Sequence, residues 1–153
     1  MPVGIGIDIG SVSIKIALIG EKDDQSALLE LSKKSEYFLL ESAPSSLPAI
    51  VLSRYRRFKG QPLAALDQLL APVMKILGDR PFHIAVTGSG GKLAGSRYGF
   101  SVINEFAAIT EAAQLLYPET RTIIEMGGET SKFIRLERNE NLGRLGIADY
   151  GTN

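Results

Sequence analysis

Two short stretches hold the residues best suited to chemistry on an anion. The first runs Asp8, Ile9, Gly10, Ser11, Val12, Ser13, Ile14, Lys15. A carboxylate ends an apolar run and a glycine follows it. Gly10 lets the backbone approach a ligand closely, and successive N–H groups from Gly10 to Ser13 can wrap an anion. Ser11 and Ser13 add hydroxyl donors. Asp8 repels phosphate directly, but it can hold Mg2+ through water, and Mg2+ bridges phosphates. Taken alone, the stretch also fits an ordinary hairpin turn, where Asp and Gly are common. The second stretch runs from Ile123 and Ile124 through Glu125, Met126, Gly127, Gly128, Glu129, Thr130 and Ser131 to Lys132. It repeats the plan: apolar strand, acid, glycine turn, hydroxyl, lysine, next strand. A matched pair of such hairpins suggests two jaws that grip one polyphosphate, a stronger signal than either alone.

Other residues carry weaker signals. Gly88, Ser89, Gly90, Gly91 and Lys92 look like a P-loop, but the required first glycine falls at Val86 and the required Ser or Thr at Leu93. A dinucleotide-binding pattern fails there too, because its third glycine would be Leu93. The stretch is read as a plain turn that could still line a nucleotide cleft. His83 reads as structural, since a metal site needs partners the chain lacks. The run Arg54, Arg56, Arg57, Lys59 reads as a solvated loop, with docking of an acidic partner or CoA phosphates as the sharper alternative. Glu105 falls at a helix start, where an acid is stabilising in any case.

The elements that must position these residues follow from the apolar pattern. Val3 to Ile9 and Ser13 to Ile19 read as two strands of a tight antiparallel hairpin. Ala27 to Leu40 reads as a long third strand, broken near Lys33 and Lys34. Glu41 to Pro62 reads as a loop containing Pro44 and Pro48, with a short helix around Ile50. From Pro62, Leu63, Leu66, Leu69, Leu70, Val73, Met74 and Leu77 recur at helical spacing, and Gly78 ends the run. Phe82 to Thr87 is the next strand, followed by a short helix over Gly91 to Tyr98 and a short strand over Phe100 to Ile103. Asn104 caps a helix over Glu105 to Leu116, stopped before Pro118. Thr122 to Met126, Lys132 to Glu137 and Leu142 to Ala148 read as three more strands. Antiparallel strands followed by crossover helices imply a mixed sheet in an α/β domain.

Composition narrows the function. Of 153 residues, 44% are hydrophobic, enough for a real core. Lys plus Arg and Asp plus Glu balance at 17 each, so no global basic field recruits nucleic acid. With no Cys and one His, the chain itself offers no Cys-based zinc or iron–sulfur site. Apolar stretches stop well short of the ~20 residues a membrane span needs, and the start lacks the basic and apolar regions of a secretory signal. The expectation is a cytoplasmic protein that binds neither nucleic acid nor membrane.

The segment from Ile5 to Ile19 resembles the first phosphate motif of the ATPase superfamily that includes actin, sugar kinases and heat-shock chaperones. Ile123 to Ile134 resembles its second phosphate motif, and Ile103 to Leu116 its connecting helix. Arg56 to Leu66, Val86 to Leu93 and Gly127 to Lys132 are similar to stretches of the BadF/BadG/BcrA/BcrD family, the ATP-driven activators of 2-hydroxyacyl-CoA dehydratases and benzoyl-CoA reductases. The resemblance implies a ribonuclease-H-like domain over 1–118 and the start of a second ATPase domain over 119–153. It implies ATP bound between the two domains, with Mg2+ held through water by Asp8 and Glu125. Glu105 would reach a water on that ion. Gly10, Ser11, Val12, Ser13 and Lys15, with Gly127, Gly128, Glu129, Thr130 and Ser131, would hold the phosphates. Hydrolysis would switch the angle between the domains and drive an electron into a dehydratase or reductase component.

The family places a cluster-ligating Cys in a segment that would begin about where the chain stops, at Gly151, Thr152 and Asn153. The resemblance therefore implies an N-terminal fragment, inactive by itself, of a homodimeric parent that carries the iron–sulfur cluster. Two departures from the pattern stand out. Glu125 replaces the usual Asp, and Glu129 and Thr130 stand where the family often has Gln and Asp. A small-molecule kinase of the same superfamily and a non-catalytic nucleotide-binding scaffold are the alternatives.

Overall fold

The computed structural model describes residues 2–41, 43, 47–128, 130–139 and 143–153. Pro44, Glu129 and Leu142, which enter the expectations above, lie outside the described residues. The chain forms two compact units, Met1–Val102 and Ile103–Asn153.

The first unit is built on a mixed seven-stranded sheet, as the α/β reading requires. Strand β1 (Val3–Ile9) and β2 (Ser13–Ile19) form the antiparallel hairpin. On β1, Val3, Ile5, Ile7 and Ile9 are buried, while Gly4, Gly6 and Asp8 lie on the opposite face. On β2, Ile14, Ile16 and Leu18 join the core. Helix α2 (Pro62–Leu77) starts with proline in its first turn, where no N–H partner is lost, and buries Ala65, Leu66, Leu69, Val73 and Leu77. Its C-cap, Gly78, has a positive φ of 57°. Strand β6 (Phe82–Thr87) pairs in parallel with β1, and helix α3 (Gly91–Tyr98) adds Ala94 to the same core. Strand β7 (Ser101–Val102) extends the parallel side.

Three sequence expectations are overturned here. The segment read as one long strand from Ala27 to Leu40 is helix α1 (Gln25–Ser32) followed by the short strand β3 (Tyr37–Leu39). Ala27, Leu28 and Leu31 fall on one face of a helix and are buried together, whereas Leu29 is exposed. The expected short helix around Ile50 is instead strand β4 (Ile50–Ser53), which pairs antiparallel with both β2 and β3. Its β-branched residues Ile50 and Val51 are buried. The basic run is likewise not all loop. Arg56–Arg57 form strand β5, which pairs antiparallel with β2. The sheet order is β3-β4-β2-β1-β6-β7, with β5 beside β2.

The second unit packs one helix on a three-stranded antiparallel sheet. Helix α4 (Glu105–Leu116) is capped by Asn104, whose side chain accepts hydrogen bonds from the Phe106 and Ala107 N–H groups. Strands β8 (Thr122–Met126), β9 (Ser131–Asn139) and β10 (Arg144–Thr152) lie in the order β10-β9-β8. Ala113, Ile134 and Leu136 form the buried centre, with Phe106, Ile109, Ile123 and Leu145 packed around them. Helix α4 thus shares a core with the strands that follow it.

Candidate functional site

In the first unit the β1–β2 turn is closed by a hydrogen bond from the Gly10 N–H to the Ser13 carbonyl, 2.9 Å long. Asp8 and Lys15 stand directly opposite each other across the hairpin, and Asp8 and Thr87 across the β1–β6 pairing. Register and the alternation of side chains put Asp8, Ser13, Lys15 and Thr87 on one face, opposite the core. The Lys15 ammonium lies 5.8 Å from the centre of the Tyr55 ring. Thr87 Oγ1 is buried without a hydrogen-bond partner among the described residues.

The turn between β6 and α3 closes over this strand end. The Gly90 N–H donates to the Ile9 carbonyl at 2.8 Å. Gly88 has φ +86°, and a Cβ there would meet the Ile9 carbonyl oxygen and come within 2.7 Å of Asp8 Oδ1. The glycine-rich stretch that fails as a P-loop is therefore required for its shape, and it leaves room beside the Asp8 carboxylate.

The second unit repeats the hairpin. Gly127 donates its N–H to the Thr130 carbonyl at 2.9 Å, as Gly10 does to Ser13. Glu125 and Lys132 face each other across β8 and β9, as Asp8 and Lys15 do across β1 and β2. Each glycine lies two residues beyond its acid. A Cβ on Gly127 would sit 2.9 Å from the Thr130 carbonyl oxygen and 3.3 Å from Glu125 Oε1. Gly128, Thr130 and Ser131 line this exposed turn, and the Ser131 N–H is held by Asn153 Oδ1 at 3.3 Å.

Lys132 is the feature that sequence reasoning named but gave no role. It is only 8% exposed, and its ammonium lies 2.8 Å from Glu125 Oε2 and 3.1 Å from Glu105 Oε1. Burial pulls its pKa down, but hydrogen bonds to Glu125 and Glu105 outweigh burial and hold it above the ordinary lysine value. The sequence signal was present in the acid–turn–lysine pattern, but only the strand register shows the lysine opposite the acid.

These surroundings test how well a magnesium ion fits. Asp8 has a half-buried carboxylate at a strand end with a glycine beside it, which suits an ion held through water. Glu125 and Glu105 already share the Lys132 ammonium, so much of their charge is compensated within the unit. Among the described residues no cluster of three or more His, Cys, Asp or Glu side chains forms a direct metal site. His83 is exposed on β6.

The structure also brings the basic run to the first hairpin. Arg57 stands opposite Ser13 and Arg56 opposite Ile14, and the Phe58 N–H donates to the Val12 carbonyl at 3.2 Å. Among the described residues, no helix is long and apolar enough to cross a membrane.

Comparison with known proteins places this arrangement. No family profile and no curated protein sequence matches the chain. Solved structures do match. The activator of 2-hydroxyisocaproyl-CoA dehydratase from Clostridium difficile with bound ADPNP is 19% identical, with a TM-score of 0.58 over 99% of this chain. Component A of (R)-2-hydroxyglutaryl-CoA dehydratase from Acidaminococcus fermentans is 16% identical, with a TM-score of 0.60 over the whole chain. The ethanolamine utilization protein EutJ from Carboxydothermus hydrogenoformans is 16% identical, with a TM-score of 0.55. The chain spans about half the length of these proteins, 45%, 48% and 52% respectively. It shares their actin-like ATPase fold, and dehydratase activators are among its structural neighbours.

Proposed function

We propose that this chain is the phosphate-binding part of an ATP-hydrolysing protein. The observation that carries the reading is the repeated hairpin. In both units an acid faces a lysine across the strands, and a glycine two residues on closes the turn with its N–H. One such turn is common, but two built alike on an actin-like fold are a nucleotide-binding feature. On this reading the N–H groups at the turn tips, those of Ser11 and Val12 and of Gly128 and Thr130, bind phosphate oxygens, while the Gly10 and Gly127 N–H groups close the turns. Lys15 adds charge at the first turn, and Asp8 holds a water-bridged Mg2+. The ion, when bound, would supply charge neutralisation to the phosphates. The chain's own residues orient the phosphate chain for attack by water, a reaction governed by positioning and charge stabilisation.

The finer reading is an activator that couples ATP hydrolysis to electron transfer into a 2-hydroxyacyl-CoA dehydratase or related reductase. The structural likeness to two proteins of such systems supports it. In that reading the full-length protein is a cytoplasmic homodimer and the iron–sulfur cluster belongs to residues outside this chain. We assign 1–118 to the first ATPase domain and 119–153 to the start of the second.

A non-catalytic nucleotide-binding protein is the second reading, favoured by one observation. Lys132 already compensates the two carboxylates assigned to magnesium and its water. Steady-state ATP turnover by the full-length protein separates the two. The ATPase reading expects turnover that Asp8→Asn cripples. Nucleotide binding without turnover supports the second reading.

A further inference from the structure

The basic run from Arg54 to Lys59 is not used by the function above, and the strand register gives it a direction. Strand β5 pairs with β2 so that Arg56 faces Ile14 and Arg57 faces Ser13. Ile14 belongs to the core face, and the Arg56 guanidinium does hydrogen-bond Gln68 of α2, which packs on that side. Successive residues of a strand point to opposite faces. Arg57 therefore lies on the other face, with Ser13, Lys15 and Asp8. Tyr55, two residues before Arg57, is on that face too, since its ring lies 5.8 Å from the Lys15 ammonium. Directly opposed residues of an antiparallel pair have Cβ atoms about 4.5–5.5 Å apart, so Arg57 begins beside the Ser13 hydroxyl. The Arg57 side chain is exposed and makes no hydrogen bond or ion pair among the described residues. The adjoining Phe58 N–H ties the same segment to Val12 at the tip of the turn.

We propose that Arg57 is a phosphate-binding residue of the first hairpin, taking the triphosphate group of a nucleotide together with Lys15 and the Ser11 and Val12 N–H groups at the turn tip. The guanidinium is planar, always charged and suited to two parallel hydrogen bonds with phosphate oxygens. Lys15 and Arg57 flank the return strand, so the face carries two cations against the single carboxylate of Asp8. That balance favours a polyanion. The inference rests on the nucleotide reading for the identity of the ligand, but it concerns only the phosphate chain.

The test is titration calorimetry on the full-length protein with Mg-ATP and with tripolyphosphate as separate probes. Arg57→Gln is expected to weaken both by about ten-fold or more. Arg56→Gln, on the core side, is expected to leave both unchanged. Wild-type protein that binds both probes, with equal affinity in Arg57→Gln, overturns the assignment and leaves the nucleotide reading standing. Loss of ATP affinity with tripolyphosphate unchanged also overturns it, because Arg57 would then read another part of the nucleotide. Wild-type protein that binds neither probe removes the nucleotide reading and this assignment with it. A measurement free of any folding defect uses the wild type alone. The Arg57 Nε–H NMR signal is expected to shift on addition of tripolyphosphate, and an unmoved signal at saturation overturns the proposal.

Discussion

Asp8 and Lys132 show how one hairpin plan gives two different electrostatic settings. Asp8 stands at the end of β1 beside Gly88, where an added Cβ would come within 2.7 Å of its carboxylate. Replacing it by Asn keeps the size and removes the charge. Turnover of ATP by the full-length protein is expected to fall by about 10²-fold or more, read as kcat in a steady-state assay. Lys132 is held between Glu125 and Glu105. Lys132→Met is expected to cost about 1–2 kcal/mol in chemical denaturation, the lower part of the range for charged hydrogen bonds. The discount reflects solvent screening, since the Glu105 and Glu125 side chains are 35% and 37% exposed. The sign of its pH dependence follows from the raised pKa. The contribution is fully present below the unfolded lysine pKa of ~10.4 and is lost as pH rises through the higher folded value. The stability gap between wild type and Lys132→Met should therefore hold steady from neutral pH to about pH 10 and shrink above it.

At the scale of elements, the Gly88 turn and helix α1 decide whether the first hairpin is correctly backed. Gly88 combines a positive φ with backbone and carboxylate atoms where a Cβ would go. Gly99 has a similar φ of 74° but open space around it. Gly99→Ala is expected to cost about 1 kcal/mol from backbone conformation alone. Gly88→Ala should cost about 3 kcal/mol, because Ile9 and Asp8 must also shift. Urea denaturation of the two variants gives the comparison, and equal losses would mean that the close approach is unimportant. For α1 the contrast is between neighbours. Leu28 is fully buried and Leu29 is 38% exposed. Leu28→Ala is expected to lose about 2–5 kcal/mol, while Leu29→Ala stays within about 0.5 kcal/mol.

For the molecule as a whole, the sheet of the second unit carries exposed apolar side chains on the face away from its core. One face carries the core under α4. On the other, Ile124 is 70% exposed, Met126 83% and Phe133, directly opposite Ile124, 39%. Clustered exposed apolar residues favour burial against another surface at ~25 cal/mol per Å2. The 153-residue chain is accordingly expected to self-associate, with a two-fold dimer as the simplest closed form. Light scattering should give twice the chain mass for the wild type and a monomer for Ile124→Lys combined with Met126→Lys. A monomeric wild type would remove this face as a self-association surface of the 153-residue chain.

The two hairpins, the long helix α2, the capped helix α4 and the glycine turns at Gly10, Gly78, Gly88 and Gly127 were determined by the sequence itself. Their signals are local: alternation of Ile with Gly or Lys, leucines at helical spacing, Asn before a helix, Gly at a turn. Helix α1 and strand β4 were misread because a short apolar run is compatible with either period. Tertiary pairing settled both. Leu28 and Leu31 are covered as one helical face, and Ile50 and Val51 lie between β2 and β3. The placement of Asp8 against Gly88, of Lys132 between two carboxylates and of Arg57 beside Ser13 depended wholly on the folded structure. Asp8 and Gly88, Lys132 and Glu105, and Arg57 and Ser13 are far apart in the chain and meet through strand register or packing, so none of these pairings can be read from the order of residues alone.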